Sequence, residues 1–147
     1  MGLDHGLSAT VIDRKTISGT YEGAVFDGVV ATETPIVVET ERQVDAGYWR
    51  KVNQVHNWFV ENVQSGEDDC GEYEVEREQL ARLKSLCEQV LADPTRAEKL
   101  LPTTEGFFFG GTEYDDYYQE GLRDTIRILD QCLAMPADTV WNYWSSW

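Results

Sequence analysis

Apolar and polar positions follow two different periods along this chain, and the change falls near residue 45. Residues 8 to 41 are rich in Val, Ile, Thr and Tyr and are punctuated by Gly19, Gly23, Gly28 and Pro35, the composition of short strands separated by turns. Strands are predicted at about 8–13, 16–22, 24–31 and 35–42. From Asp45, a residue type that caps helices, Tyr48, Val52, Val55, Phe59 and Val63 recur at helical spacing and predict a buried stripe. The segment GEDDCGEYE breaks this period. A second helix then runs to about residue 92, with Leu80, Leu83, Cys87, Val90 and Leu91 on one face. Asp93 and Pro94 open a short helix that ends before Pro102. Thr112 and Asp115 resemble a capping box with Asp in place of Glu or Gln, opening a third long helix in which Tyr118, Leu122, Ile126, Leu129 and Leu133 are in phase and which Pro136 ends. The tail VWNYWSSW fits both periods: Val140, Trp144 and Trp147 share a helical face, whereas Trp141, Tyr143, Ser145 and Trp147 share a strand face.

These elements predict an α+β fold, a small N-terminal antiparallel sheet followed by a bundle of three main helices. The expected organisation is a single domain over 1–147, with a strand-rich part at 1–44, a helical part at 45–135 and a Trp-rich tail at 136–147. Charge narrows the partners: 27 acidic residues against 12 basic ones give a net charge of −15, which repels duplex DNA and anionic lipid. Composition this acidic can signal disorder, but 12% aromatic and 41% hydrophobic residues favour a packed core. Cys70, Cys87 and Cys132 are widely spaced and odd in number, the pattern of a reducing compartment rather than of a disulfide framework. No apolar run approaches the roughly 18 residues of a membrane span, and MGLDHGLSATV lacks the features of a secretory signal. A cytoplasmic protein is expected, with its oligomeric state left open.

Four segments hold candidate chemistry or contacts. In GYWRKVNQVHNWF, Trp49, Asn53 and His56 form a second helical line beside the core stripe, suited to stacking on a planar ligand and hydrogen-bonding its edges, with Arg50 and Lys51 as positive charge at the rim. The competing reading makes His56 an interhelical histidine and Trp49 a core edge. In GFFFGGTEYDDYY, Phe108 and Phe109 offer aromatic walls, and Thr112, Glu113, Tyr114 and Asp115 offer polar groups at a helix start; the alternative is an aromatic loop wedged into the core. The acidic run EDDCGEYEVERE, with Glu67, Asp68, Asp69 and Glu72, can face a basic protein or simply be solvated. Trp141, Trp144 and Trp147 can anchor a partner or pack on the sheet. His5 and His56 lie far apart in sequence, and no zinc spacing, phosphate loop, EF-hand or nucleophile elbow occurs, so neither a metal nor a cofactor is expected. An acid/base pair of His56 with Asp4, Glu113 or Asp115 is the remaining enzymatic reading.

The start MGLDHGL, the segment YWRKVNQVHNWFV, DDCGEYEVEREQL and GFFFGGTEYDDYY together resemble a family of small proteins encoded by bacteriophages and prophages. The likeness covers the start and about residues 47–133; His5-Gly6 and Gly111 depart from it, and residues 8–44 and the tail after Met135 match nothing in it. It carries no activity to transfer. It implies a phage accessory protein in the host cytoplasm, of a kind that often counters host defence, and it implies that Asn53, His56, Glu113, Tyr114 and Asp115 meet in one aromatic-walled pocket. Three functions are therefore expected in order: binding of a small nucleotide-like ligand, inhibition of a host defence protein such as a nuclease complex through the acidic run or the tail, and catalysis by His56 with a carboxylate.

Overall fold

The computed structural model describes residues 2–17, 36–106 and 108–147. Its core is a four-stranded antiparallel sheet with helices packed on it, the α+β class that the two periods predict. The strands are β1 (Asp4–Ile17), β2 (Ile36–Arg50), β3 (Glu72–Val75) and β4 (Val140–Ser146), in the spatial order β2-β1-β4-β3. The helices are α1 (Asn53–Asn62), α2 (Arg77–Ala92), the single-turn α3 (Ala97–Leu100) and α4 (Asp116–Leu133).

The sheet is less N-terminal than expected. Half of it comes from later segments, and the tryptophan-rich tail becomes the inner strand β4, paired with β1 on one side and β3 on the other. The tail's strand period explains this: Trp141, Tyr143 and Ser145 all point into the core, where β1 supplies His5, Leu7, Ala9 and Val11 at the same alternation. The predicted strand at 8–13 lies within β1 and that at 35–42 largely within β2, whereas 24–31 and most of 16–22 lie outside the described residues.

The largest correction concerns Asp45. It does not cap a helix; β2 continues to Arg50, and α1 begins only at Asn53. Ala46 is inserted in β2 without a partner on β1, since Leu7 faces Gly47 and Ser8 faces Asp45. Such a bulge shifts the alternation by one residue. Inward positions therefore run through Ala46 and then Trp49, a spacing that imitates a helix in the sequence. Tyr48, expected in the core stripe, is 55% exposed, while Trp49 is buried. The stripe holds only from Val55 and Phe59 onward, both fully buried.

Helix ends follow their sequence signals more closely. Asp93 Oδ1 accepts from the Thr95 N–H ahead of α3, and a Glu76–Gln79 capping box opens α2. Asp115, not Thr112, caps α4 by accepting from the Tyr118 N–H at 3.1 Å. At the other end of α4, Arg77 donates to the carbonyls of Leu133, Met135 and Pro136 and lies 5.0 Å above the Trp141 ring. Helix α4 packs closely on β2 because Gly47 has no side chain; a Cβ there would collide with Ile128 Cγ2. Cys87 and Cys132 are buried in this core, and burial raises their thiols to about 12 and about 11, so neither is a ready nucleophile.

Candidate functional site

Sheet alternation places a histidine where a core residue is expected. His5 shares the inward face of β1 with Leu7 and Ala9, and Trp49 on β2 stacks on its ring at 5.2 Å. Tyr143, inward on β4, reaches it from the other side. The first turn of α1 adds His56, 5.5 Å from His5 between ring centres. The two histidines, 51 positions apart in the sequence, are thus neighbours in the core, and both are 0% exposed.

Hydrogen bonds join them into one chain. His5 Nε2 donates to the Lys51 carbonyl at 2.6 Å, and His5 Nδ1 lies 2.9 Å from the Tyr143 hydroxyl. That hydroxyl is 2.6 Å from His56 Nδ1, and His56 Nε2 is 3.0 Å from Asp68 Oδ2. Asp68 Oδ1 then accepts from the Trp147 indole at 3.0 Å, where the chain reaches the surface. Burial pushes the His5 imidazole down to about 3, against the opposing effect of its bond to Lys51; the charge of His56 pushes the same way as burial. Burial and the nearby Asp68 charge hold the Tyr143 phenol well above its ordinary value.

A separate, open cleft of about 500 Å³ lies where the end of β2 and the start of α1 meet the first turns of α4. Its inner corner is built from Lys51 and Val52, both left-handed at φ 63° and 46°. For a β-branched residue this backbone is an outlier that costs on the order of 1–3 kcal/mol. Surrounding contacts hold it: the Lys51 N–H donates to the Leu3 carbonyl at 2.7 Å, and His5 holds the Lys51 carbonyl. Gly121 opens the floor, for a Cβ there would meet Val52 Cγ1 at 2.9 Å and Gln54 Nε2 at 3.0 Å. Gly110, at φ 89°, brings its backbone against the Lys51 side chain.

Of the residues expected to bind a ligand, Arg50, Asn53, Phe109, Glu113 and Asp115 line the cleft. Asn53 is nevertheless occupied. Its amide donates to the carbonyls of Phe109 and Gly111 and accepts from the Thr104 N–H, pinning the loop that forms the wall. Arg50 is paired with Asp4 at 3.0 Å. Trp49 lies in the core, its indole donating to Thr125 Oγ1 at 3.0 Å, and His56 is in the interior chain. The line Trp49–Asn53–His56 therefore does not exist as a helical face: its first member is on β2, and only the other two are on α1.

The second expected segment divides as well. Phe109 meets His56 edge-on at 5.4 Å and Trp147 at 6.0 Å, whereas Phe108 is 49% exposed and gives its carbonyl to the Leu3 N–H. The Thr112 carbonyl accepts from Thr103 Oγ1, and Tyr114 packs edge-on against Tyr118, away from His56. Phe107 lies outside the described residues.

The acidic run and the tail converge. Glu72 on β3 stands opposite Trp144 on β4, and Trp147 sits on Asp68. Asp69 accepts from Gly71 N–H and from the Tyr73 hydroxyl, which raises that phenol to about 12. Glu67 is exposed, Trp141 is buried at 1%, and Trp147 is 51% exposed.

His56 thus finds its carboxylate in Asp68, not in Asp4, Glu113 or Asp115. His5 and Tyr143 were outside every predicted site, although the alternation H-x-L-x-A-x-V at 5–11 already places a histidine on an apolar face. Among the described residues no cluster of three or more His, Cys, Asp or Glu is placed to hold a metal ion, and no helix is long and apolar enough to cross a membrane. No protein-family model matches the chain, and neither curated proteins nor solved structures give a match.

Proposed function

We propose that this chain is a small-ligand-binding protein, an accessory of the counter-defence kind suggested by its resemblance to phage proteins, acting in the host cytoplasm. Its site is the cleft between the Lys51–Val52 corner and the start of α4. The observation that carries this reading is the charge of the cleft: Arg50 and Lys51 face the four carboxylates of Glu113, Asp115, Glu120 and Asp124. With Arg50 already paired to Asp4, a phosphate group finds little net positive potential there. The ligand that fits is net neutral or cationic, with an amine, amidine or nucleoside-like polar edge for the carboxylates and a flat face for the exposed Tyr117 at the rim. A nucleotide held through its phosphates fits poorly. Titration calorimetry against nucleosides, polyamines, guanidinium compounds and the corresponding nucleotides tests this. Binding confined to the uncharged and cationic members is expected; heat from none of them, with the protein folded, sinks the proposal.

A second reading has its own support in the meeting of the acidic run with the tail. Trp147 presents a half-exposed indole on Asp68, which Glu67 and Asp69 flank in the sequence, and Glu72 stands opposite Trp144 on the neighbouring strand, a combination suited to a basic host protein. Reversing the charges of Glu67, Asp69 and Glu72 should weaken capture of such a partner and flatten its salt dependence. Asp68 is left untouched in that experiment because it also holds His56.

A further inference from the structure

The interior chain from Lys51 to Asp68 can be counted in protons. It contains four hydrogen bonds: His5 to the Lys51 carbonyl, His5 to Tyr143, Tyr143 to His56, and His56 to Asp68. Each needs one hydrogen. The carbonyl at one end and an ionised carboxylate at the other only accept. Two neutral imidazoles and one phenol bring three hydrogens, so four bonds require one more.

The partners decide where the additional proton sits. Because the Lys51 carbonyl accepts, His5 carries its hydrogen on Nε2. A second hydrogen on His5 Nδ1 would make a buried imidazolium with no carboxylate bonded to it, since Asp4 acts on it only as the weakest of the influences, and burial holds His5 far on the neutral side. Tyr143 therefore donates to His5 Nδ1 and accepts from His56 Nδ1. His56 Nε2 then needs its own hydrogen to reach Asp68. Around His56 the facing groups are His5 from β1, Tyr143 from β4, Asp68 from the α1–β3 loop and the uncharged Phe109 ring, so among the described residues Asp68 is the carboxylate that it meets.

We infer that the core holds one bound proton, as a His56 imidazolium paired with the Asp68 carboxylate, and that this proton latches the acidic loop and the terminal Trp147 onto the sheet. Asp68 is the hinge of the device, with Oδ2 on His56 and Oδ1 on the Trp147 indole. When the proton leaves His56 Nε2 for water, a nitrogen lone pair faces the carboxylate, and the site acquires a net negative charge beside a fully buried ring. The pair then repels, which frees Asp68 and with it Trp147. The latch acts on the second of the two surfaces proposed above, but it stands whether or not either surface binds anything.

The decisive variant is Asp68→Asn. An asparagine amide turned toward His56 donates to a neutral Nε2 and still accepts from Trp147 with its oxygen, so all four bonds form without the additional proton. Nitrogen-15 NMR of the histidine rings and of the Trp147 indole N–H, followed from pH 5 to pH 10, reads the difference. The wild-type protein should show both His56 nitrogens protonated at neutral pH, His5 as the Nε2–H tautomer, and a Trp147 resonance that moves in the same step as any loss of the His56 Nε2 proton. D68N should remain folded, show neutral His56 throughout, and lack the coupled step. An unprotonated His56 nitrogen in the wild type at neutral pH overturns the inference, as does an unchanged Trp147 titration in D68N. Should D68N fail to fold, the wild-type ring signals alone decide it.

Discussion

The polar groups around the two buried histidines and the carboxylates of the cleft obey opposite rules. His5, Asn53, Gln54, His56 and Tyr143 are buried, and each reaches a backbone or side-chain partner within hydrogen-bonding distance. In the cleft, Glu113 has no paired cation among the described residues, and Glu120 and Asp124 meet only arginines of their own helix, at 3.1 and 3.8 Å. The interior groups hold elements together, since unpaired they would cost about 1–3 kcal/mol each. Glu113, Glu120 and Asp124 tie no second element to the cleft and are free to meet a ligand, whereas Asp115 caps α4 and Asn53 pins the loop of the wall. Lys51 belongs to both regions: its carbonyl ends the interior chain while its side chain lines the cleft.

The largest effect that would test this contrast is acid sensitivity set by His5. Its imidazole titrates near 6.5 when unfolded and is pushed by burial to about 3 when folded. With respect to His5 the folded state thus binds fewer protons between those values, so the stability that His5 contributes is fully present above about pH 6.5 and is lost as pH falls toward 3. Each tenfold in proton affinity is worth about 1.4 kcal/mol, so the loss is about 3 kcal/mol by pH 4 and at most about 5 in full. Asp4, Asp13 and Asp69, held below 3.8 by hydrogen bonds from Tyr48, Arg42 and Tyr73, act in the same direction but mainly at lower pH. Urea unfolding at pH 7 and pH 4 should therefore give a much shallower dependence in His5→Gln than in the wild type. Equal slopes would mean that His5 is not held neutral.

Next in size is Tyr143→Phe. The phenylalanine ring keeps the stack on Phe59, whose centre lies 3.9 Å from that of Tyr143, but the two histidines lose the hydroxyl between them. Two buried ring nitrogens are left without partners, for a cost of about 2–4 kcal/mol. Glu113→Gln in the cleft should change stability by no more than about 0.5 kcal/mol. Equilibrium unfolding of the pair measures the contrast directly, and similar costs for both would erase it.

Why the sequence showed one region and not the other is a matter of period. Long helices with standard caps were legible: α2 and α4 fall where Leu80–Leu91 and Tyr118–Leu133 place them. The bulge at Ala46 was not, because one inserted residue turns a period of two into a spacing that reads as helical through Tyr48 and Val52. That spacing suggests a helical line of Trp49, Asn53 and His56, which the fold does not contain because Trp49 is on β2. The interior chain was hidden for a different reason: His5, His56, Asp68 and Tyr143 come from two strands, a helix and a loop, and only the sheet order β2-β1-β4-β3 brings them together. Parts of the cleft were visible in the aromatic and acidic segment at 108–115, but its floor at Gly121 and its corner at Lys51–Val52 depend on tertiary packing.

The smallest expected effect is also the one that separates the two roles of Lys51. At φ 63° a lysine pays a left-handed backbone cost that glycine does not. Lys51→Gly removes that cost and keeps both backbone hydrogen bonds of the corner, the N–H to Leu3 and the carbonyl from His5. Against this stand the greater chain entropy of glycine and the lost contact of the lysine stem with Gly110, so a net gain of about 0.5–1 kcal/mol is expected in urea unfolding. The same change removes a cation from a cleft whose other charges are mostly carboxylates, which should tighten binding of a cationic ligand. A variant that is both more stable and a better binder would show that the interior chain needs only the backbone of residue 51. Loss of stability would instead show that the lysine side chain, through its packing on Gly110, is what holds the corner.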